Sequence, residues 1–146
     1  IAFTVTYSYY SISYYSLGSS TVPGLNKLTH INISLSDIHA IPRTFLLDSQ
    51  NLKILWLRNC NIQRLESNCF DALFHLSNFN LHGNCIADLF EELIDLRYLT
   101  LSQNYLTSIN KNTFSGLTRL RYLNLDSNRL TIIKKNHFSI CQSLET

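Results

Sequence analysis

The feature that most constrains this chain is an internal repeat between Leu96 and Ile140, whose fixed period is the distance in sequence from Leu96 to Leu120. Residues 96–119 and 120–143 align without a gap, and both follow the pattern L-x-x-L-x-L-x-x-N-x-L-x-x-I-x-x-x-x-F. A fixed period of this length is typical of stacked repeats, in which each unit buries its apolar face against the next. The aligned pairs are Leu96/Leu120, Leu99/Leu123, Leu101/Leu125, Asn104/Asn128, Leu106/Leu130, Ile109/Ile133 and Phe114/Phe138.

The same pattern extends upstream, with repeats starting at residues 28, 52, 76, 96 and 120 and a partial repeat at 144. The repeat at 76 is shorter than the others and ends at residue 95, because the segment that carries the Phe is missing. We interpret residues 4–27 as a degenerate first repeat, with Tyr7, Tyr9 and Tyr14 at strand and turn positions. The alternative is an unrelated flanking segment that pairs as an edge strand. We expect residues 1–146 to form a single repeat domain, and we interpret the chain as a fragment without either cap.

The repeat unit resembles the leucine-rich repeat, and the resemblance covers most of the chain. Within each unit, x-L-x-L-x has a period of two, which predicts a short strand with its leucines on one side. The resemblance implies an α/β solenoid, a right-handed superhelix with a parallel β-sheet on its concave face. Its convex side is then irregular or built from short helices. A repeat of this length with Phe at its nineteenth position is the form typical of extracellular leucine-rich repeats.

The resemblance also assigns structural roles to two sets of residues. The Asn that follows each strand is expected to bond to the backbone of its turn and of its neighbour, and these positions form a ladder. The Phe at the nineteenth position is expected to pack under the convex side as an aromatic spine. The ladder is Cys60, Asn84, Asn104 and Asn128, with Ser36 in the same place earlier, and the spine is Phe70, Phe114 and Phe138.

Residues between the strand leucines are expected to face outward on the concave sheet. Trp56, Arg58, Tyr98 and Tyr122 are residue types that dominate binding hot spots, and Ile54 adds an apolar contact beside them. The alternative is that these aromatic residues only pack along the sheet. The predicted binding residues are Ile54, Trp56, Arg58, Asn80, His82, Tyr98, Thr100, Tyr122, Asn124 and Asp126, and the rest of the outward set is Thr6, Ser8, Tyr10, His30, Asn32, Ser34, Asn78 and Ser102.

Neither the motifs nor the charge indicate an enzyme or a nucleic-acid-binding protein. Nucleophile elbow, zincin and P-loop motifs are absent from the sequence, and no cofactor is expected. His30 and His82 lie at different strand positions without carboxylates in register, so no metal site is predicted. The net charge of +2 and the pI near 8.4 are too weak to suggest nucleic acid as a partner. No apolar stretch is long enough to span a bilayer, so membrane attachment would require segments outside this chain.

The cysteines and one glycosylation motif are relevant to whether the protein lies inside or outside the cell. The four cysteines do not match the clustered cysteines that flank extracellular arrays, and we expect free thiols, although a Cys69–Cys85 bridge is conceivable. Asn32-Ile33-Ser34 is an N-glycosylation motif on the predicted concave strand. A glycan at Asn32 would block that end of the face and move ligand contacts toward Trp56.

The resemblance is to Toll-like receptor ectodomains and insect leucine-rich immune proteins. It implies non-catalytic recognition of a protein or microbial ligand on the concave face, outside the cell or at its surface. A homodimer or heterodimer could form through the array. The alternatives are a cell-adhesion or matrix protein with leucine-rich repeats and an intracellular scaffold or adaptor.

Overall fold

Six parallel strands build the main sheet of the protein. The structure, a computed structural model, describes residues 3–8, 25–42, 44–66, 69–87, 93 and 95–145. The strands of this sheet are, in spatial order, β1 (Phe3–Ser8), β2 (Leu28–Ser34), β4 (Ile54–Arg58), β6 (Asn78–Asn80), β7 (Tyr98–Thr100) and β8 (Tyr122–Asn124). A second, two-stranded sheet joins β3 (Ala40–Ile41) to β5 (Arg64–Leu65). The described residues contain two 3-10 helices, Leu25–Lys27 and Lys135–Phe138, and no α-helix.

The stacked parallel strands confirm the predicted leucine-rich-repeat solenoid. From β2 onward the strands pair in the register that the repeat predicts: Ile54 lies beside Asn78, Asn78 beside Tyr98, and Tyr98 beside Tyr122. The repeat that starts at 76 keeps this register although it is shorter than its neighbours. Its shortening therefore falls outside the strand.

The first strand differs from the prediction by two residues. The repeat interpretation places Thr6 beside His30, whereas β1 pairs Thr4 with His30 and Thr6 with Asn32. A slip of two residues leaves every position on its own face of the sheet, whereas a slip of one would exchange the faces. The hydrophobic pattern therefore could not fix the register at this strand. Tyr9, Tyr10 and Tyr14 lie outside the described residues.

The core is a column of aliphatic side chains contributed by successive repeats. In the repeat that starts at Leu52, the strand residues Leu55 and Leu57 and the following Ile62 are all buried. Full burial of such a side chain stabilises the folded state by roughly 1.5–3 kcal/mol. The equivalent residues of the next two repeats, Phe79, Leu81, Ile86, Leu99, Leu101 and Leu106, are also buried, as are Leu76, Leu96 and Ile109.

The predicted aromatic spine is not a uniform stack. Phe114 and Phe138 stack with centroids 5.7 Å apart and planes 20° apart. Phe70 instead packs edge-on against the strand residue Phe79, with centroids 5.1 Å apart. The repeat that starts at residue 76 is shortened by the segment that would carry a Phe at the nineteenth position, and Phe70 packs against the core residue Phe79.

The repeat that starts at Leu120 is only partly buried. Leu123, Leu125 and Leu130 are partly buried, whereas the aligned Leu99, Leu101 and Leu106 are buried. The sequence alignment places Ile133 with the core residue Ile109, but Ile133 is 57% exposed and Ile109 only 5%. Within the described residues no following strand stacks on β8. In this part of the chain Ile133 therefore has no following coil to cover it.

Candidate ligand-binding face

The asparagine ladder fixes the spacing of the coils that carry the concave face. The Asn84 amide nitrogen donates to the Leu57 carbonyl of the preceding coil at 2.6 Å, and its oxygen accepts from the Cys60 and Ile62 backbone N–H groups. Asn104 and Asn128 repeat this arrangement one and two coils further along. Each amide thus satisfies backbone groups that the turn would otherwise leave buried without partners.

Cys60 supplies only part of what an asparagine supplies at this position. Its thiol donates to the carbonyls of Ile33 and Arg58 at 3.4 and 3.3 Å. A thiol is a weak donor and a weak acceptor, so it replaces the amide N–H but not the strong amide oxygen. Burial raises the pKa of the Cys60 thiol, which keeps the group protonated and able to donate.

A left-handed residue precedes every ladder position, and the sequence patterns did not predict it. The residues are Leu35, Asn59, Gly83, Gln103 and Ser127, with φ of 56°, 53°, 69°, 54° and 55°. In the first four coils this residue donates its backbone N–H to a carbonyl of the next coil, as Asn59 does to His82 at 2.9 Å. Only one of the five is a glycine, so composition gives little indication of the turn.

All ten predicted binding residues lie on one face, in three rows that run across the strands. The first row contains Ile54, Tyr98 and Tyr122, and the second contains Trp56, Asn80, Thr100 and Asn124. The third row contains Arg58, His82 and Asp126, each two residues after a member of the second row. All ten are half-buried or exposed. The strand register therefore brings the first two rows together, and the third row continues along the same coils.

Two aromatic clusters dominate this face. The Arg58 guanidinium lies 5.0 Å from the centroid of the Trp56 ring, within the range of a cation–π contact. Tyr98 and Tyr122 lie side by side with centroids 6.5 Å apart and planes 35° apart. Trp56 is 36% exposed, Tyr98 47% and Tyr122 48%. The rings therefore pack on their neighbours along the sheet and also keep free surface for a ligand.

Several polar residues of the face are already engaged in local hydrogen bonds. The Asn80 side-chain oxygen accepts from the His82 backbone N–H, and Asn124 does the same for Asp126. The His82 ring nitrogen lies 2.9 Å from the Ser102 hydroxyl of the next coil. Ser102 was predicted to face outward but is buried, because the larger His82 side chain reaches it from the preceding coil.

Two polar atoms on this face are buried without a hydrogen-bond partner among the described residues. They are Nε of Arg58 and Oδ1 of Asn78. Buried polar atoms normally have a protein or water partner, since an unmade hydrogen bond costs about 1–3 kcal/mol. Both atoms lie next to the exposed aromatic rings, since Arg58 stacks on Trp56 and Asn78 pairs with Tyr98.

A row of six residues, three of them basic, borders the face where the strands begin. We name Thr29, Lys53, Ser77, Arg97, Arg121 and Glu145 the edge row; each after the first donates its backbone N–H to the carbonyl of the residue before it in the row. Lys53, Arg97 and Arg121 are exposed. The sequence analysis did not select these cations, because in the linear chain they belong to separate repeats. Their alignment appears only when the coils stack.

Asn32 is half-buried in β2 and lies beside Trp56. Its side-chain oxygen accepts a hydrogen bond from the Ser34 hydroxyl at 3.1 Å.

The four cysteines are free thiols, and burial raises the pKa of the Cys69 thiol to about 12. The described residues include no group of three or more His, Cys, Asp or Glu side chains placed to hold a metal ion. Among them, too, no helix has the length and apolarity to cross a membrane.

Comparison with known families agrees with this geometry. A family model described as BspA type leucine rich repeat region matches residues 4–88, which is more than half of the chain. Two leucine-rich-repeat models match residues 87–130 and 119–142. The chain belongs to the leucine-rich repeat family.

A solved structure is similar to the chain over most of its length. The crystal structure of a TLR13–ssRNA13 complex matches with a TM-score of 0.71 and 27% sequence identity, covering 84% of this chain and 17% of that one. The repeats therefore resemble those of a Toll-like receptor, and the chain spans about a sixth of the length of this receptor chain. No curated protein matches the chain.

Proposed function

We propose that this protein is a non-catalytic recognition module that binds a protein or microbial ligand on its concave face. The observation that carries the proposal is the exposure of Trp56, Tyr98 and Tyr122 on one face of the sheet, in the strands β4, β7 and β8. Exposed tryptophan and tyrosine are the residue types most enriched at binding hot spots. Arg58 Nε and Asn78 Oδ1 beside these rings have no hydrogen-bond partner in the described part of the chain, which also favours a surface that is completed by a ligand.

We further propose that the module acts in innate immunity, outside the cell or at its surface. The support is the length of the repeat, with Phe at its nineteenth position, and the similarity to a Toll-like receptor structure. That receptor was solved with single-stranded RNA. For this chain we favour a protein or microbial ligand other than nucleic acid, because its net charge is only +2. Asn32 is the proposed glycosylation site, and a glycan there would direct ligands toward Trp56.

The test compares two double variants in which exposed aromatic residues are removed. Trp56→Ala with Tyr98→Ala changes the face, and Phe74→Ala with Tyr105→Ala is the matched control, since Phe74 and Tyr105 are exposed outside the three rows. Binding is measured to fixed bacterial cells and to peptides selected from a random 16-residue phage library. We expect the face variant to bind at least about tenfold more weakly and the control to bind like the parent protein.

Circular dichroism verifies that both variants keep the fold, as expected for exposed positions. Equal binding by the face variant and the parent protein would contradict the proposal and move the site to the convex side or to a rim.

A further inference from the structure

The edge row and the adjacent tyrosine pair form one surface with two kinds of chemistry. Arg97 and Arg121 belong to the edge row, and each is followed directly by a tyrosine of the face. Arg121 and Arg97 are joined by a backbone hydrogen bond of 2.9 Å, and Tyr98 pairs with Tyr122. Two cations and two half-exposed rings therefore lie together in adjacent coils. Lys53 extends the cationic row two coils further.

We propose that this surface binds an acidic segment of a partner protein. The inference rests on the proposed recognition function and specifies the chemistry of its ligand. The side chains of Lys53 and Arg97 form no ion pair within the described part of the chain. Arg121 contacts Glu145 at 3.8 Å, with both side chains more than half exposed. A long, exposed pair of this kind contributes little, so the arginine remains available to another carboxylate.

The arrangement suits carboxylates better than isolated cations would. An arginine fork binds a carboxylate through two parallel hydrogen bonds, which gives geometric specificity as well as attraction. Adjacent parallel strands lie about 4.8 Å apart, so Arg97 and Arg121 can hold neighbouring acidic groups of one segment. Tyr98 and Tyr122 then cover the apolar part of that segment. Tyrosine contributes contact area at a low cost in conformational entropy.

Charge complementarity favours an acidic protein segment over RNA. Ser77 interrupts the edge row between Lys53 and Arg97, and Glu145 ends it. A nucleic acid places a phosphate at every nucleotide, so its affinity grows with the number of phosphates that the protein neutralises. Three cations flanked by an acidic residue neutralise few phosphates. An acidic peptide needs only two or three well-placed carboxylate contacts and gains the rest of its affinity from apolar groups.

The experiment selects random 16-residue peptides displayed on phage against the protein, sequences the bound clones, and measures the affinities of the synthetic peptides. The variant Arg97→Gln with Arg121→Gln removes the two cations. Lys134→Gln with Lys135→Gln removes the same charge from exposed residues in and beside the 3-10 helix. We expect the selected peptides to be enriched in Asp and Glu. Their affinity should fall about tenfold or more in the arginine variant, change little in the lysine variant, and weaken as salt is raised.

Two outcomes overturn the inference and leave the proposed function intact. One is a set of peptides that depends on Trp56 and Tyr98 but is not acidic and is indifferent to the arginine variant. The other is a random 16-nucleotide single-stranded RNA that binds more tightly than the acidic peptides and depends on the same arginines. Peptides that depend on neither the arginines nor the aromatic residues contradict both proposals.

Discussion

The repeats that start at Leu96 and Leu120 have the most similar sequences in the chain but lie in different environments. Leu106 is fully buried, whereas its counterpart Leu130 is only partly buried. Asn104 is buried, and the aligned Asn128 is partly exposed although it makes the same hydrogen bonds. The comparison indicates that the burial of a repeat depends on its neighbours as well as on its own sequence, and in stacked repeats such neighbour contacts contribute to stability.

The largest expected effect is on the free energy of unfolding, when the equivalent leucines of these two repeats are truncated. Leu106→Ala should lower the free energy of unfolding by about 3 kcal/mol, because it leaves a cavity between two coils. Leu130→Ala should cost about 1 kcal/mol, because solvent already reaches that side chain. Urea unfolding followed by circular dichroism measures both. Equal losses would mean that the last repeat is packed as tightly as the one before it. They would contradict the difference between the two repeats.

The ladder asparagines offer a second contrast. Asn104→Ala removes the acceptor of the Ile86 backbone N–H and two buried carbonyl contacts, at an expected cost of about 2 kcal/mol. Asn128→Ala should cost about half as much, because Asn128 is itself partly exposed and water can take the place of its amide. Hydrogen exchange locates the change, at the Ile86 amide in the first variant and at the Leu106 amide in the second. The exposed Asn136→Ala is the control, and a similar loss there would refute the role of the ladder.

The left-handed turn gives the smallest expected effect. A Cβ added at Gly83 would overlap the Asn59 side-chain oxygen, so Gly83→Ala should cost about 1–2 kcal/mol. At the equivalent position of the last repeat, Ser127→Gly should change the unfolding free energy by only a few tenths of a kcal/mol. Thermal unfolding of Gly83→Ala with Asn59→Gly tests the cause. If the contact with Asn59 is responsible, the double variant should regain part of the lost stability.

The sequence predicted the solenoid, the ladder and the concave rows, because each depends on a pattern that recurs within the repeat. It failed where the outcome depends on what the next coil supplies. Ile133 matches the pattern but is exposed, since no strand follows β8 within the described ranges, and Ser102 is buried where His82 of the preceding coil reaches it. The edge row was missed for a similar reason. No short sequence window contains Lys53, Arg97 and Arg121 together.

The nearly constant number of residues between paired strands has a consequence for how the chain folds. Paired residues in the main sheet are separated by a similar length of chain at every junction, shortest at β6–β7 and longest at β1–β2. The entropy of closing a loop varies slowly with length, so these junctions differ by only about 0.2 kcal/mol. Each added coil thus meets nearly the same closure barrier as the one before it. The relative contact order falls as coils are added, and a duplicated repeat can lengthen the array without creating a slow, long-range search.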